Sequence, residues 1–119
     1  MLFRSQVSIL DFKTGAVDDP KKAQQKAKES LQLDLYALAH LRTAGRLPDW
    51  VELRFLESGL RAGKRPTVEE AAATEERIRG AAALIRRREF PPTPSYLACG
   101  QCAFRDICPH TAWGPEPEG

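Results

Sequence analysis

Two stretches of the chain are predicted to be β-strands from their apolar residues. From Gln6 to Phe12, β-branched and aliphatic residues predict a strand buried on at least one face, and the pair Thr14-Gly15 is a turn signal directly after it. From Trp50 to Glu57, apolar residues alternate with charged ones, which predicts a second strand. The apolar positions of the second strand are Val51, Leu53 and Phe55.

The segment between these strands predicts one long helix from Lys21 to about Thr43, because this range contains no glycine or proline. The sequence Asp-Asp-Pro at residues 18–20 offers capping and first-turn chemistry, and Gly45 is expected to end the helix. The apolar stripe of this helix is predicted to be Leu31, Leu35 and Leu38.

A second long helix is predicted from Ala71 to Arg88, a range rich in Ala, Glu and Arg. Thr67 and Glu70 have the spacing of a capping box directly before it. Its residues available for a buried stripe are Ile78, Leu84 and Ile85. The segment before the helix is predicted to be a loop that passes through Gly59, Gly63 and Pro66.

Prolines at positions 91, 92 and 94 forbid further helix beyond Phe90. We expect the remaining chain to be irregular and to be ordered only by a bound metal. The predicted plan is a single partial domain, with an α/β core portion in residues 1–90, a cysteine metal-site segment in residues 91–110 and a loose tail in residues 111–119.

The order strand, helix, strand, helix predicts an α/β fold with a βαβ crossover, which is right-handed if both strands are parallel in one sheet. Two strands make a poor sheet, since three or more are normally needed for independent stability. We therefore expect further strands of this fold to precede Met1 in a longer protein, or to come from a second copy of the chain.

Composition narrows the class of protein. The 119 residues suffice for one domain with a modest core, and the formal net charge of +2 does not by itself identify a nucleic-acid ligand. No run of about 18 apolar residues predicts a transmembrane helix, and residues 1–6 lack the apolar core of a signal peptide. We expect a cytoplasmic protein.

Asp11 and Lys13 are the first candidates for chemistry. Residues two apart in a strand point to the same face, so this carboxylate and ammonium are expected to project together while Phe12 turns the other way into packing. A metal ligand and a charge stabiliser can share one pocket in this way. A surface ion pair at a turn is the alternative interpretation.

Gln32 and Tyr36 are the second candidates, because residues four apart lie on one face of a helix. This polar pair would be able to reach the pocket of Asp11 and Lys13 if the helix faces the sheet. The alternative is an ordinary amphipathic helix with a glutamine and a tyrosine at the boundary of its apolar face.

Three cysteines within ten residues, Cys99, Cys102 and Cys108, are the third signal. An odd number of cysteines within so short a segment is typical of metal ligands rather than of a disulfide framework. The Cys-x-x-Cys spacing lets two thiolates meet one metal within a tight turn, and Gly100 relieves the backbone there.

Together these motifs resemble the RecB-like nucleases of the PD-(D/E)XK superfamily, in the branch that carries an iron–sulfur cluster and includes helicase-linked nuclease domains and CRISPR adaptation nucleases. The resemblance implies the C-terminal part of a restriction-endonuclease-like core, followed by an irregular cysteine-bearing tail. The residues that carry it are Asp11, Lys13, Thr14 and Gly15 of the Asp-Phe-Lys-Thr-Gly stretch, Gln32 and Tyr36, and Cys99, Cys102 and Cys108 with Pro109.

The resemblance also implies roles. Asp11 would ligate a divalent Mg or Mn ion with help from the backbone carbonyl of Phe12. Lys13 would position or activate the attacking water and offset charge on the scissile phosphate. Gln32 and Tyr36 would contact DNA or support the metal pocket.

Three parts of the family pattern are not found: an acidic ligand on a preceding strand, a histidine on a helix before it, and a fourth cysteine far upstream. We interpret the chain as an N-terminally truncated member that binds a divalent ion weakly and cuts DNA poorly or not at all. An iron–sulfur cluster is expected in the full-length protein, while the alternative is zinc bound by the three cysteines and His110. As purified, the chain is expected to carry no metal.

The predicted function is an exonuclease module of a DNA repair or recombination helicase–nuclease. Its predicted partners are DNA, a helicase domain or subunit, and a second copy paired through open strands. Two alternatives remain: a catalytically inactive nuclease-like domain that binds DNA or serves a structural role, and a small zinc-binding interaction domain.

Overall fold

The computed structural model describes residues 5–114. The chain divides into two compact units, Met1–Ala82 and Ala83–Gly119. In the described residues, no helix is both long enough and apolar enough to cross a membrane. The predicted loose tail lies largely outside the described residues.

A three-stranded sheet forms the centre of the first unit. Its strands are β1 (Ser8–Lys13), β2 (Trp50–Phe55) and β3 (Arg61–Lys64), in the order β1-β2-β3. β1 and β2 are parallel and β3 runs antiparallel to β2. The predicted α/β class is confirmed. β1 and β2 are parallel in one sheet, which is the condition that was attached to the predicted βαβ crossover.

β3 replaces part of the predicted loop through Gly59 and Gly63, so that prediction is wrong, as is the expectation of only two strands. After β2 the chain turns back through Gly59, whose φ of 76° is left-handed. The Phe55 N–H then donates to the Leu60 carbonyl at 2.9 Å and starts the hairpin. A strand of four residues is too short to show a clear alternation.

Two helices, α1 (Pro20–Lys28) and α2 (Leu31–Ala44), replace the single predicted helix. The break is caused by Ser30, whose side chain caps α2 by accepting a hydrogen bond from the Leu33 N–H at 3.2 Å. α1 begins at an Asp19 cap, as the capping prediction required. Gly45 ends α2 in a left-handed conformation, also as predicted.

The core of the first unit lies between α1 and α2 and one face of the sheet. The predicted inward positions of β2, Val51, Leu53 and Phe55, are all buried. The predicted α2 stripe is wrong except for Leu38, since Leu35 is 36% exposed. The buried residues of α2 are Leu33, Ala37 and Leu38.

The helix break explains this shift of the buried face. Ala23 and Ala27 are buried in α1, and an unbroken helix would continue that face through Leu31, near Leu35 and Leu38. The interruption at Glu29 and Ser30 resets the helical phase, so α2 buries a different set of positions.

A third helix, α3 (Val68–Arg86), begins at the predicted capping box. The Glu70 N–H donates to Thr67 Oγ1 at 3.1 Å, and the Thr67 N–H donates to Glu70 Oε2 at 3.2 Å. The predicted buried stripe is wrong, because Ile78 is 41% and Ile85 is 61% exposed. The buried residues of α3 are Ala71 and Thr74.

The second unit contains α4 (Tyr96–Gly100), a short helix in a segment predicted to be irregular throughout. Ser95 caps it by accepting a hydrogen bond from the Ala98 N–H at 3.1 Å. α3 ends at Arg86, before the prolines are reached: Arg88 has a left-handed φ of 55°, and the Glu89 N–H donates to the Leu84 carbonyl at 2.9 Å. α4 carries Cys99 and therefore sets the backbone direction at the cysteine cluster.

Candidate functional site

Asp11 and Lys13 lie at the end of β1 on the face of the sheet that α1 and α2 cover. Asp11 lies opposite Leu53 of β2, and Lys13 lies opposite Phe55, both of which are core residues. Lys13 Nζ is 2.9 Å from Asp11 Oδ2. The predicted shared direction of the two side chains is therefore present in the structure.

A hydrogen-bonded chain extends from this pair to α2. Lys13 Nζ donates to Gln32 Oε1 at 2.5 Å, and Gln32 Nε2 donates to the Tyr36 hydroxyl at 2.7 Å. Because the Gln32 amide accepts on one side and donates on the other, its orientation is fixed by its two partners. The structure brings all four side chains together, and their roles in chemistry stay predictions.

Asp11 is the more buried of the two charged residues in this hydrogen-bonded series. Its side chain is 15% exposed, whereas that of Lys13 is 38% exposed. Its Oδ2 is buried, and no described donor forms a well-aligned hydrogen bond with it, although the Lys13 ammonium is close. A buried anionic oxygen without a full set of donors is costly unless a cation compensates it. The Lys13 ammonium, 2.9 Å from Oδ2, supplies part of this compensation, and the role of Asp11 as a metal ligand stays a prediction.

Phe12 departs from its prediction. Its side chain points to the opposite face of the sheet from Asp11, as expected, but it is 56% exposed and does not enter packing. Leu10 and Trp50 share that face and are each 37% exposed. The predicted use of the Phe12 backbone carbonyl as a metal ligand stays a prediction.

The cysteine cluster lies in the second unit. Cys99, Cys102, Cys108 and His110 all line one cavity of about 200 Å³. All three thiols are free of disulfides. The spacing in the sequence therefore does bring these side chains to one cavity.

Backbone N–H groups point at two of the sulfurs. The Ala112 N–H donates to Cys99 Sγ, and the His110 N–H donates to Cys108 Sγ, each at 3.4 Å. The hydrogen bond from Ala112 is the main reason why the pKa of Cys99 lies below the ordinary range of a thiol. Such donors stabilise a thiolate, which is the form that binds metal.

The arrangement nevertheless falls short of a metal centre. Between residues 5 and 114, no three or more His, Cys, Asp or Glu side chains are placed so that they could hold an ion. The cysteines share a cavity without converging on one point, and Asp11 does not belong to a larger ligand group. The geometry does not supply the predicted iron–sulfur or zinc site.

A cluster around Trp113 was missed in the sequence. The Tyr96 ring stacks on Trp113 with centroids 4.6 Å apart, and Trp113 Nε1 donates to the Tyr96 carbonyl at 2.7 Å. The Arg105 guanidinium lies over the Trp113 ring, 5.0 Å from its centroid. The sequence shows Tyr96, Trp113 and Arg105 near the cysteines, but the spacing of these three residues does not indicate that they contact one another.

Comparison with known protein families finds a match over most of the chain. The family model described as the PD-(D/E)XK nuclease superfamily matches residues 3–109, a range that includes Asp11, Lys13 and the cysteines. No curated protein and no solved structure matches the chain.

Proposed function

The chain belongs to the PD-(D/E)XK nuclease superfamily, and we propose on this premise that it is a divalent-metal-dependent deoxyribonuclease module of a DNA repair or recombination helicase–nuclease. The observation that supports the proposal most directly is the contact chain from Asp11 through Lys13 and Gln32 to Tyr36. An ordinary surface ion pair would not need a helix from elsewhere in the fold to hold its ammonium.

Asp11 would hold the ion, because its buried Oδ2 is an oxygen ligand that still has bonding capacity. The carbonyl of Phe12 is the proposed second ligand from the chain. A Mg or Mn ion bound there supplies charge stabilisation at a phosphoryl oxygen and lowers the pKa of bound water. The more exposed Lys13 can then reach substrate from beside Asp11.

Lys13 would donate to the scissile phosphate or to the attacking water, since its ammonium has three N–H groups and Asp11 and Gln32 occupy at most two. Gln32 is a positioning residue, because it holds Lys13 Nζ. The Tyr36 hydroxyl accepts a hydrogen bond from Gln32 Nε2. This contact keeps the side-chain oxygen of Gln32 directed at Lys13. The hydroxyl of Tyr36 has a proton left to donate to a DNA phosphate.

Metal binding at Asp11 tests this proposal without requiring cleavage. We expect Mn²⁺ to bind with a Kd on the order of millimolar, typical of weak sites with few carboxylates. Asp11→Asn should weaken this binding about tenfold or more, because the variant keeps the shape and loses the anionic oxygen. Electron paramagnetic resonance of free Mn²⁺ measures both values.

The matched control is Asp18→Asn, which removes the same charge from an exposed residue outside the contact chain. Its Mn²⁺ affinity should equal that of the unchanged protein. Equal affinity in Asp11→Asn would show that Asp11 is not the ligand. That result would favour the second candidate function, a catalytically inactive nuclease-like domain that binds DNA, which is also consistent with the lack of a group of three metal ligands among the described residues.

We also propose that Cys99, Cys102 and Cys108 bind an iron–sulfur cluster, whose fourth ligand is not a cysteine of this sequence because it has only these three. The shared cavity and the N–H donors at two sulfurs support this proposal. Elemental analysis after iron–sulfur reconstitution should find iron in the unchanged chain and at least tenfold less in Cys99→Ser. One equivalent of zinc that is lost in His110→Ala would favour the Cys3His interpretation instead.

A further inference from the structure

β1 is an edge strand of the sheet. The strand order is β1-β2-β3, so among the described residues no strand pairs with the side of β1 that faces away from β2. Such an edge presents a row of main-chain N–H and C=O groups that can pair with another chain. The residues that carry these groups decide which strand can pair there.

The hydrogen bonds between β1 and the β2 side identify these residues. The Val7 carbonyl accepts from the Asp49 N–H at 2.8 Å, and the Lys13 carbonyl accepts from the Leu56 N–H at 3.0 Å. In a parallel pair, every second residue directs both its N–H and its C=O to the same neighbouring strand. The odd-numbered residues of β1 therefore bond β2, and the main-chain groups of its even-numbered residues point to the open edge. These residues are Ser8, Leu10 and Phe12.

The side chains of these three residues share the sheet face opposite to the one that α1 and α2 cover. None of the three is charged or is a proline, two features that commonly protect an edge strand from pairing. Leu10 is 37% and Phe12 is 56% exposed. The charged residues of β1, Asp11 and Lys13, point to the helix-covered face and contact each other. The outward row of β1 is therefore open to pairing.

The opposite edge of the sheet differs. β3 is only four residues long, and it begins at Arg61 and ends at Lys64. A short strand with a cation at each end is a poor template for pairing. Association through β1 alone therefore closes as a two-fold dimer and does not continue into a fibre.

We propose that β1 pairs antiparallel with β1 of a second copy of this chain, about a two-fold axis at Leu10. In this register, Leu10 of one copy lies opposite Leu10 of the other, and Ser8 lies opposite Phe12. Residues that face each other as a hydrogen-bonded pair exchange two N–H···O bonds. Every outward N–H and carbonyl of both strands then has a partner, and one sheet runs through both copies.

This register follows from the positions of the outward groups. A shift by one residue would oppose outward groups to groups that already bond β2. A shift by two residues in either direction would leave one outward residue of each strand without a partner in the other strand. One of these shifts would also place Asp11 directly opposite Asp11, and like charges directly opposite each other are destabilising.

The same symmetry favours a second copy over an unrelated strand. Pairing about Leu10 brings the two Leu10 side chains together, with a Phe12 on each side of them, so that the exposed apolar residues of both copies form one stripe. Cross-strand apolar pairs of this kind stabilise a sheet. An unrelated strand would need to supply its own apolar residues at matching positions.

Sedimentation velocity tests whether the chain associates. Without added divalent ion, so that the proposed metal site plays no part, we expect monomer at about 1 µM and mostly dimer at about 500 µM. The expected Kd is on the order of tens of micromolar, because two short strands form an interface smaller than that of most stable complexes. A chain that stays monomeric over this range overturns the proposal.

Amide hydrogen exchange followed by NMR tests which residues form the interface. The N–H groups of Leu10 and Phe12 should exchange about threefold or more slowly at about 500 µM than at about 20 µM, because dimerisation buries them. The N–H groups of Ile9 and Asp11 face β2 in both states and should exchange at equal rates. Association that leaves the exchange of Leu10 and Phe12 unchanged places the interface outside β1 and overturns the proposal.

Leu10→Lys is the main variant, because it places two ammonium groups opposite each other at the two-fold axis. It should weaken association about tenfold or more. Leu56→Lys is the matched control, since Leu56 is also an exposed leucine but follows β2 and lies outside β1. Its Kd should stay within twofold of the parent, and equal weakening by both variants would contradict pairing through β1.

A charge-swapped mixture excludes misfolding as the cause. Leu10→Glu alone should also associate about tenfold more weakly than the parent, whereas an equal mixture of Leu10→Glu and Leu10→Lys should form a dimer about as tightly as the parent. The reason is that residue 10 of each copy then faces the opposite charge. A mixture that associates no better than either variant alone would show that the two positions do not face each other.

Discussion

Asp11→Asn is expected to remove metal-dependent DNA cleavage by this chain, with a fall in rate of roughly 100-fold or more. The physical reason is that the neutral amide cannot replace the carboxylate as a ligand, so the ion that stabilises charge at the phosphate is lost. Asparagine has nearly the same size, and Lys13 and Gln32 keep their contact in the variant. The effect is therefore one of charge rather than of folding.

Cleavage is best measured under single-turnover conditions, with protein in excess over a labelled single strand and Mn²⁺ at several millimolar. The unchanged chain should cut slowly, since Asp11 does not belong to a group of three or more metal ligands within residues 5–114. Asp18→Asn is the charge-matched control and should cut at the unchanged rate. Cleavage that persists in Asp11→Asn would refute the site, and fast multiple turnover by the unchanged chain would refute the expectation that the chain alone is a poor nuclease.

The candidate site could be predicted from the sequence to the extent that it depends on single elements. The i, i+2 spacing of Asp11 and Lys13 and the i, i+4 spacing of Gln32 and Tyr36 follow from strand and helix geometry alone. The contact between Lys13 and Gln32 does not, because it depends on where α2 packs against β1. The sequence indicated only that Gln32 and Tyr36 could reach the pocket if their helix faced the sheet, and the structure supplied the contact itself.

The helices show a different limit. A range without glycine or proline predicted one helix, yet Ser30 competes with helix continuation by capping the following turn through its own side chain. That one local hydrogen bond changes which residues of α2 are buried. The face of α2 that carries Gln32 could therefore not be derived from a continuous helical pattern.

The cysteines show a third limit. Their spacing correctly indicated that Cys99, Cys102 and Cys108 would lie around one space, and the structure places all three at one cavity. Convergence of sulfurs on one ion requires tetrahedral geometry to within a few tenths of an ångström. The turns after α4 decide that geometry, and sequence spacing carries no information about it.

Gly63 is the position in the sheet where we expect the largest loss of stability from a small substitution. A Cβ at this glycine would lie 2.4 Å from the Val51 carbonyl oxygen and 2.8 Å from Trp50 Nε1. The carbonyl belongs to the neighbouring strand and cannot move without opening the pairing of β2 and β3. The indole is tethered as well, because its N–H donates to Glu52 Oε1 at 3.1 Å.

The other side of Gly63 is also fixed. Its carbonyl accepts a hydrogen bond from Gln24 Nε2 of α1 at 2.9 Å, so β3 cannot shift away from β2 without losing this contact. Gly63→Ala should therefore lower the free energy of unfolding by about 2 to 3 kcal/mol, the upper part of the range of about 1 to 3 kcal/mol that is typical of overpacking. For a domain with a total stability of about 5 to 15 kcal/mol, this is a substantial loss.

Urea denaturation followed by circular dichroism measures the change, and Gly80→Ala provides a control of opposite sign. Gly80 lies inside α3 with open space around the position of a Cβ, so alanine there should raise stability by roughly 0.5 to 1 kcal/mol through its higher helix propensity. Both variants add a single methyl group to a glycine. The difference between their changes in the free energy of unfolding therefore reports how much space and which backbone conformation surround each glycine. If Gly63→Ala were as stable as the parent, β3 would not be held against β2 as closely as the distance of 2.4 Å requires.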